Sequence, residues 1–114
     1  PPPQVTEIQG RPTRWNWRTF DVPTPTEVPL FADSMWRGGG PRHNDERPSF
    51  NGQWIGSEAE FLHFAIARHR QGINLVFFDG SARYSRVRDL WTMPWHRQFD
   101  VTYASRIRFP DWMN

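Results

Sequence analysis

The chain has 114 residues, enough for one domain with one modest core. Its 14 Arg face 12 acidic residues, and a formal net charge of +2 leaves no broad basic field of the kind that nucleic acid selects. Cys is absent, which excludes a disulfide framework and a cysteine-ligated zinc site, and no run reaches the roughly 18 apolar residues of a membrane helix.

Hydrophobic residues make up 37% of the chain, yet 16% of it is aromatic. Rings bury far more area than aliphatic side chains, so the composition predicts a small, ring-rich core. Every basic residue is Arg, whose planar guanidinium stacks on rings, and Arg–Trp contacts are expected.

Residues 1–30 hold seven of the eleven Pro, which forbids long helices there. The opening Pro1-Pro2-Pro3 reads as the start of a fragment or a processed product. Trp15 and Trp17 alternate with Arg14, Asn16 and Arg18, a period-two pattern that predicts a short strand. Val28 to Asp33 reads as a second strand, confined by Pro29 to a sheet edge. Residues 37–53 read as a long Gly- and Pro-rich loop, and that length favours a functional or interface role.

Residues 57–70 admit two readings. Ser57 and Glu60 have capping-box spacing, whereas Phe61, Leu62, Phe64 and Ile66 suit a buried strand; the strand at 61–67 is preferred. Residues 73–87 are the clearest element. Ile73 to Phe78 is strand-forming, Asp79-Gly80 fits a two-residue type I′ turn, and Ser81 to Val87 returns. This register pairs Phe77 with Ala82 and Leu75 with Tyr84. It gives an inner face of Ile73, Leu75, Phe77, Ala82 and Tyr84. Asp89 to Trp95 predicts a helical turn or two, with Trp91 stacked on Trp95. Phe109 and Trp112 predict a tail that packs.

Chemistry-bearing patterns are sparse. His43, Asp45 and Glu46 cluster in the long loop, and calcium would fit best near Asp45 and Glu46, but the spacing matches no EF-hand and solvated loop charges are the preferred reading. Ser57, His63, His69 and Asp79 supply triad residue types without a Gly-x-Ser-x-Gly elbow, so no catalytic residue is assigned. Gly38-Gly39-Gly40 lacks the ending of a phosphate loop. Trp15, Trp17, Trp36 and Trp54 read first as rings that close the core of a small domain; with Arg14 and Arg18 they are also the candidate interface residues, since Trp and Arg dominate binding hot spots.

Nine residues separate His69 from Asp79-Gly80. Three further stretches run collinear with that signature: Val28-Pro29-Leu30-Phe31-Ala32-Asp33-Ser34-Met35-Trp36, Leu90-Trp91-Thr92-Met93-Pro94-Trp95-His96-Arg97-Gln98-Phe99, and Asp111-Trp112-Met113. Across roughly residues 15–113 the chain resembles the prepilin-type processing-associated H-x9-DG domain family, related to pseudopilins and type IV pilins, whose signature falls on His69, Asp79 and Gly80.

The resemblance implies an α+β or mostly β, pilin-like globular domain spanning residues 1–114, with an antiparallel sheet built on the 73–87 hairpin. It implies a structural, non-enzymatic subunit of an extracellular pilus-like or pseudopilus-like filament, with no cofactor. Its partners would be itself or related subunits, in a homo- or hetero-polymer at the cell surface. Family members begin with a long apolar helix; this chain carries none, so membrane contact would run only through such an upstream helix. The alternative is a glycan-binding surface module that uses exposed Trp. The extended Gln4–Gln9 segment is expected to add to a neighbour's sheet edge.

Overall fold

Ile73, Val76, Phe77 and Phe78, β-branched or aromatic, dominate positions 73–78, and all of this stretch but Phe78 lies in the central strand of the domain. The computed structural model describes residues 6–8, 11–36, 39–54 and 59–114. Within them, β1 (Glu7–Ile8) pairs antiparallel with β2 (Arg11–Pro12). β3 (Pro29–Ala32), β4 (Gly72–Phe77) and β5 (Ala82–Arg86) form an antiparallel sheet in the order β3-β4-β5. The remaining regular structure is 3₁₀ helix, at Thr13–Trp15, Glu60–His63, Val87–Thr92, Val101–Arg106 and Asp111–Met113. This is a small sheet with short helical turns, compatible with an α+β or mostly β domain. No helix of the described residues is long and apolar enough to cross a membrane.

Two expected elements take other forms. The Trp15–Trp17 strand is replaced by the 3₁₀ turn Thr13–Trp15, with Pro12 at φ −61° as its N-cap. The strand at 61–67 is replaced by the 3₁₀ helix Glu60–His63 and irregular chain. Residues 60–66 are all buried. A strand with one wet face would alternate its side chains between core and solvent, whereas the 3₁₀ turn and the irregular chain after it bury all seven. Ser57, the other half of the capping-box reading, lies outside the described residues, as do Gln4, Val5 and Gln9. Glu7 and Ile8 pair with Pro12 and Arg11 of their own chain.

The hairpin forms, but with a different loop and register. Phe77 N–H donates to the Ser81 carbonyl and Gly80 N–H to the Phe77 carbonyl, each at 2.9 Å. The loop therefore has three residues, 78–80. Gly80 is left-handed at φ +85°, and Asp79 is not. A type I′ turn needs positive φ at both central positions, whereas a three-residue loop closed by one left-handed glycine needs it once.

The return strand slips by one residue. Leu75 faces Arg83 and Asn74 faces Tyr84. β4 keeps its expected inner face of Ile73, Leu75 and Phe77, but β5 exchanges faces. Ser85 turns inward to 8% exposure, and Tyr84 turns outward to 47%. The Arg83 guanidinium lies 3.9 Å from the Phe77 ring centroid and covers it.

A two-residue turn does occur, at the other end of β4. His69 and Gly72 exchange backbone hydrogen bonds of 2.9 and 3.1 Å. Arg70 and Gln71 between them have φ +49° and +66°, type I′ geometry built without glycine.

The core is aromatic. Phe61 stacks on Trp91 with centroids 4.0 Å apart, and Trp95 and Phe99 meet the same ring edge-on at 5.6 and 5.8 Å. Trp91 and Trp95 thus share Phe61 as their partner instead of stacking on each other. Phe109 closes the far side of Trp91 at 5.6 Å, and Met113 is fully buried, so the tail packs as expected.

Candidate functional site

The 39–54 segment contains no strand or helix among its described residues, yet it is tied down at many points. The Gly40 N–H donates to buried Glu60 at 2.9 Å. One oxygen of buried Asp45 accepts both the Arg42 N–H at 3.0 Å and the Phe61 N–H at 3.2 Å. Burial holds the Asp45 carboxyl above the usual carboxylate range, against the pull of those two amides. Asn51 accepts from Ala67 N–H at 2.7 Å, and the Trp112 indole N–H donates to the Pro48 carbonyl at 2.8 Å. His43 Nδ1 accepts the Asp100 N–H at 3.1 Å. The calcium expectation near Asp45 and Glu46 meets a carboxylate turned toward the backbone, with Glu46 exposed beside it. No group of three His, Asp or Glu able to hold a metal ion gathers among the described residues.

That anchoring positions an exposed aromatic pair. Trp36 follows β3 and Trp54 ends the anchored segment, and their rings lie 5.7 Å apart at 52°. They are 49% and 47% exposed. Trp54 also stacks flat on the buried His63 ring, with centroids 4.9 Å apart and planes within 11°. A buried imidazole therefore backs the outer platform and fixes its tilt.

The other candidate interface residues divide. Arg14 and Arg18 are exposed. Trp15 is half-buried, stacked on buried His96 at 4.9 Å, with the Arg42 guanidinium 5.7 Å from its ring centroid. Trp17 is half-buried, and its indole N–H is buried without a hydrogen-bond partner. The structure thus brings Trp36 and Trp54 together and uses Trp15 to dock the N-terminal segment, with Arg97 N–H donating to the Trp15 carbonyl at 2.8 Å.

The outer face of the main sheet adds rings that the sequence pattern did not single out. The pairs Phe31↔Val76, Val76↔Ala82 and Asn74↔Tyr84 place Phe31 and Tyr84 on the outward face with these neighbours. Phe31 is 69% exposed. Beside it a cleft of about 340 Å³ runs under β3, lined by Trp17, Leu30, Phe31, Phe64 and Phe78 among others. Phe20, also exposed, tilts against Phe78 at 5.5 Å. An alternating apolar pattern was the available signal for Phe31, but Pro29 and a bulge between Pro29 and Phe31 interrupt it.

The signature residues occupy the two ends of β4. Asp79 accepts the Ser81 N–H at 2.9 Å and its hydroxyl at 2.6 Å, and these bonds hold the Asp79 carboxyl below the usual carboxylate range. Gly80 supplies the left-handed step of the same loop. The His69 ring reaches Asp33, Nε2 to Oδ2 3.3 Å. Asp33 also accepts the Asn74 N–H at 2.9 Å, tying the end of β3 to β4. All three signature residues thus act on how the strands begin and end.

No protein-family model, no curated protein and no solved structure matches this chain.

Proposed function

We propose that this chain is a pilin-like globular domain of a filament subunit at the cell surface, as the H-x9-DG resemblance implies, and that it acts by assembly rather than by catalysis. The observation that carries this reading is the exposure of six large aromatic side chains: Phe20, Phe31, Trp36, Phe50, Trp54 and Tyr84. A small domain with few aliphatic residues gains stability by burying rings, so leaving six of eighteen outside is costly unless a partner covers them. Among the described residues no strand pairs with the outer edges of β3 and β5, which supports the same reading, because an unpaired edge accepts another strand. The partners would be further copies of this chain or related subunits.

The test is polymerisation of the purified chain, followed by light scattering and electron microscopy. Filaments or oligomers are expected, and Phe31→Ser with Trp54→Ser should abolish them while the domain stays folded. A strictly monomeric protein at high concentration, with or without those substitutions, would overturn the reading.

One observation favours a second reading. The Trp36–Trp54 pair, tilted and backed by His63, has the form of a platform for a sugar ring. A saturable change in tryptophan fluorescence with neutral cell-wall glycan fragments, in a monomeric protein, would favour this glycan-binding module over the filament subunit.

A further inference from the structure

The turn at residues 70–71 is strained in a way its neighbours are not. Two consecutive non-glycine residues in the left-handed region each cost free energy, and such strain persists only where the surroundings enforce it. Here the enforcement is visible. The Tyr84 hydroxyl donates to the Arg70 carbonyl from across the β4–β5 pair. Its ring lies over Gly72, where an added Cβ would collide with the Tyr84 ring and the Ser85 carbonyl. A glycine has been placed beneath the tyrosine, not at the left-handed positions where it would relax the backbone.

The result is a shallow concavity lined by Arg68, His69, Arg70, Tyr84 and Arg86. Arg68, Arg70 and Arg86 are exposed, and no carboxylate among the described residues forms an ion pair with them. The acidic group at its margin, Asp33, is engaged by His69 and by the Asn74 amide. Three guanidinium groups around one immobilised phenol ring, in a chain whose net charge is only +2, make a local anion site rather than a basic field.

We infer that this concavity binds an acidic polysaccharide, through its uronic acid residues. Guanidinium forks match planar carboxylates, and the fixed Tyr84 ring offers a flat apolar surface for the C–H face of the sugar. Single-stranded nucleic acid fits less well, because it is held by a track of several stacking rings along a basic groove, and this patch offers only the Tyr84 phenol beside a His69 imidazole engaged by Asp33. The site does not depend on the filament reading and does not involve Trp36 or Trp54.

The test is calorimetric titration of the intact chain with oligogalacturonate, with a neutral glucan as the control. Saturable binding that weakens with added salt is expected for the acidic oligomer only. Arg86→Ala and Arg70→Gly should each weaken it roughly tenfold or more, the loss of one charge-assisted contact. Arg70→Gly also separates binding from folding. Glycine accepts φ +49° without strain, so this variant should melt at a higher temperature while binding less. Absence of saturation, equal binding of the neutral glucan, full affinity in Arg70→Gly, or tighter binding of an oligodeoxythymidylate or oligoglutamate of equal charge would each overturn the assignment.

Discussion

Asp45 is buried, with the Arg42 and Glu60 charges nearby, and one of its oxygens receives two backbone amides. Burial raises its pKa in the folded chain. Between the unfolded and the raised folded value the native state binds more protons, so stability falls as pH rises through that window. An Asn side chain offers one amide oxygen to the same two N–H groups without the charge. Asp45→Asn should therefore fold, lose that decline and match or exceed the parent in stability at neutral pH. Urea unfolding from acid to neutral pH checks this, and parallel pH profiles for the two chains would refute it. Asp79 works in the opposite sense: its lowered pKa stabilises the fold above the ordinary carboxylate range and ceases to do so as acid protonates it.

At the scale of elements, the 73–87 ribbon shows what a chain pattern can and cannot reveal. The strand-forming run and the Asp-Gly pair announced a hairpin, and one is present. The loop length was not legible, because Asp-Gly suits both a two-residue turn and the last two positions of a three-residue loop. Only Gly80 is left-handed, and this single backbone choice decides that Ser85 is buried and Tyr84 exposed. Gly80→Ala should destabilise the domain by about 1 kcal/mol, the usual penalty for a side chain in that conformation. Thermal unfolding measures it, and an unshifted midpoint would mean that the loop re-forms with another register. The opposite turn was illegible for a related reason. Arg70-Gln71 carries none of the residues that favour positive φ, and Tyr84, fourteen residues away, holds it in place. A basic concavity built on that turn could not be read from spacing, since its arginines converge only once the one-residue register is known. The buried run at 60–66 was misassigned because periodicity does not separate a fully buried strand from a tight helical turn.

For the whole molecule, rings take the place that aliphatic side chains fill in most domains. Phe61 lies at the centre, touching Trp91, Trp95 and Phe99, and its backbone N–H is held by Asp45. Phe61→Ala should cost about 3–5 kcal/mol, a large share of the roughly 5–15 kcal/mol that stabilises a domain. Denaturant midpoints would record the loss, and a change under 1 kcal/mol, about the size of a peripheral substitution, would show that the ring cluster is not the core.

The described chain contains short 3₁₀ turns and a three-stranded sheet but no α-helix, and its core holds a Phe–Trp stack with centroids 4.0 Å apart. Far-ultraviolet circular dichroism of the native protein will accordingly lack a strong helical minimum and carry indole bands instead. Its near-ultraviolet spectrum, where packed rings report, becomes the faithful witness to folding. Want of helical signal alone is therefore no ground for discarding a preparation as unfolded.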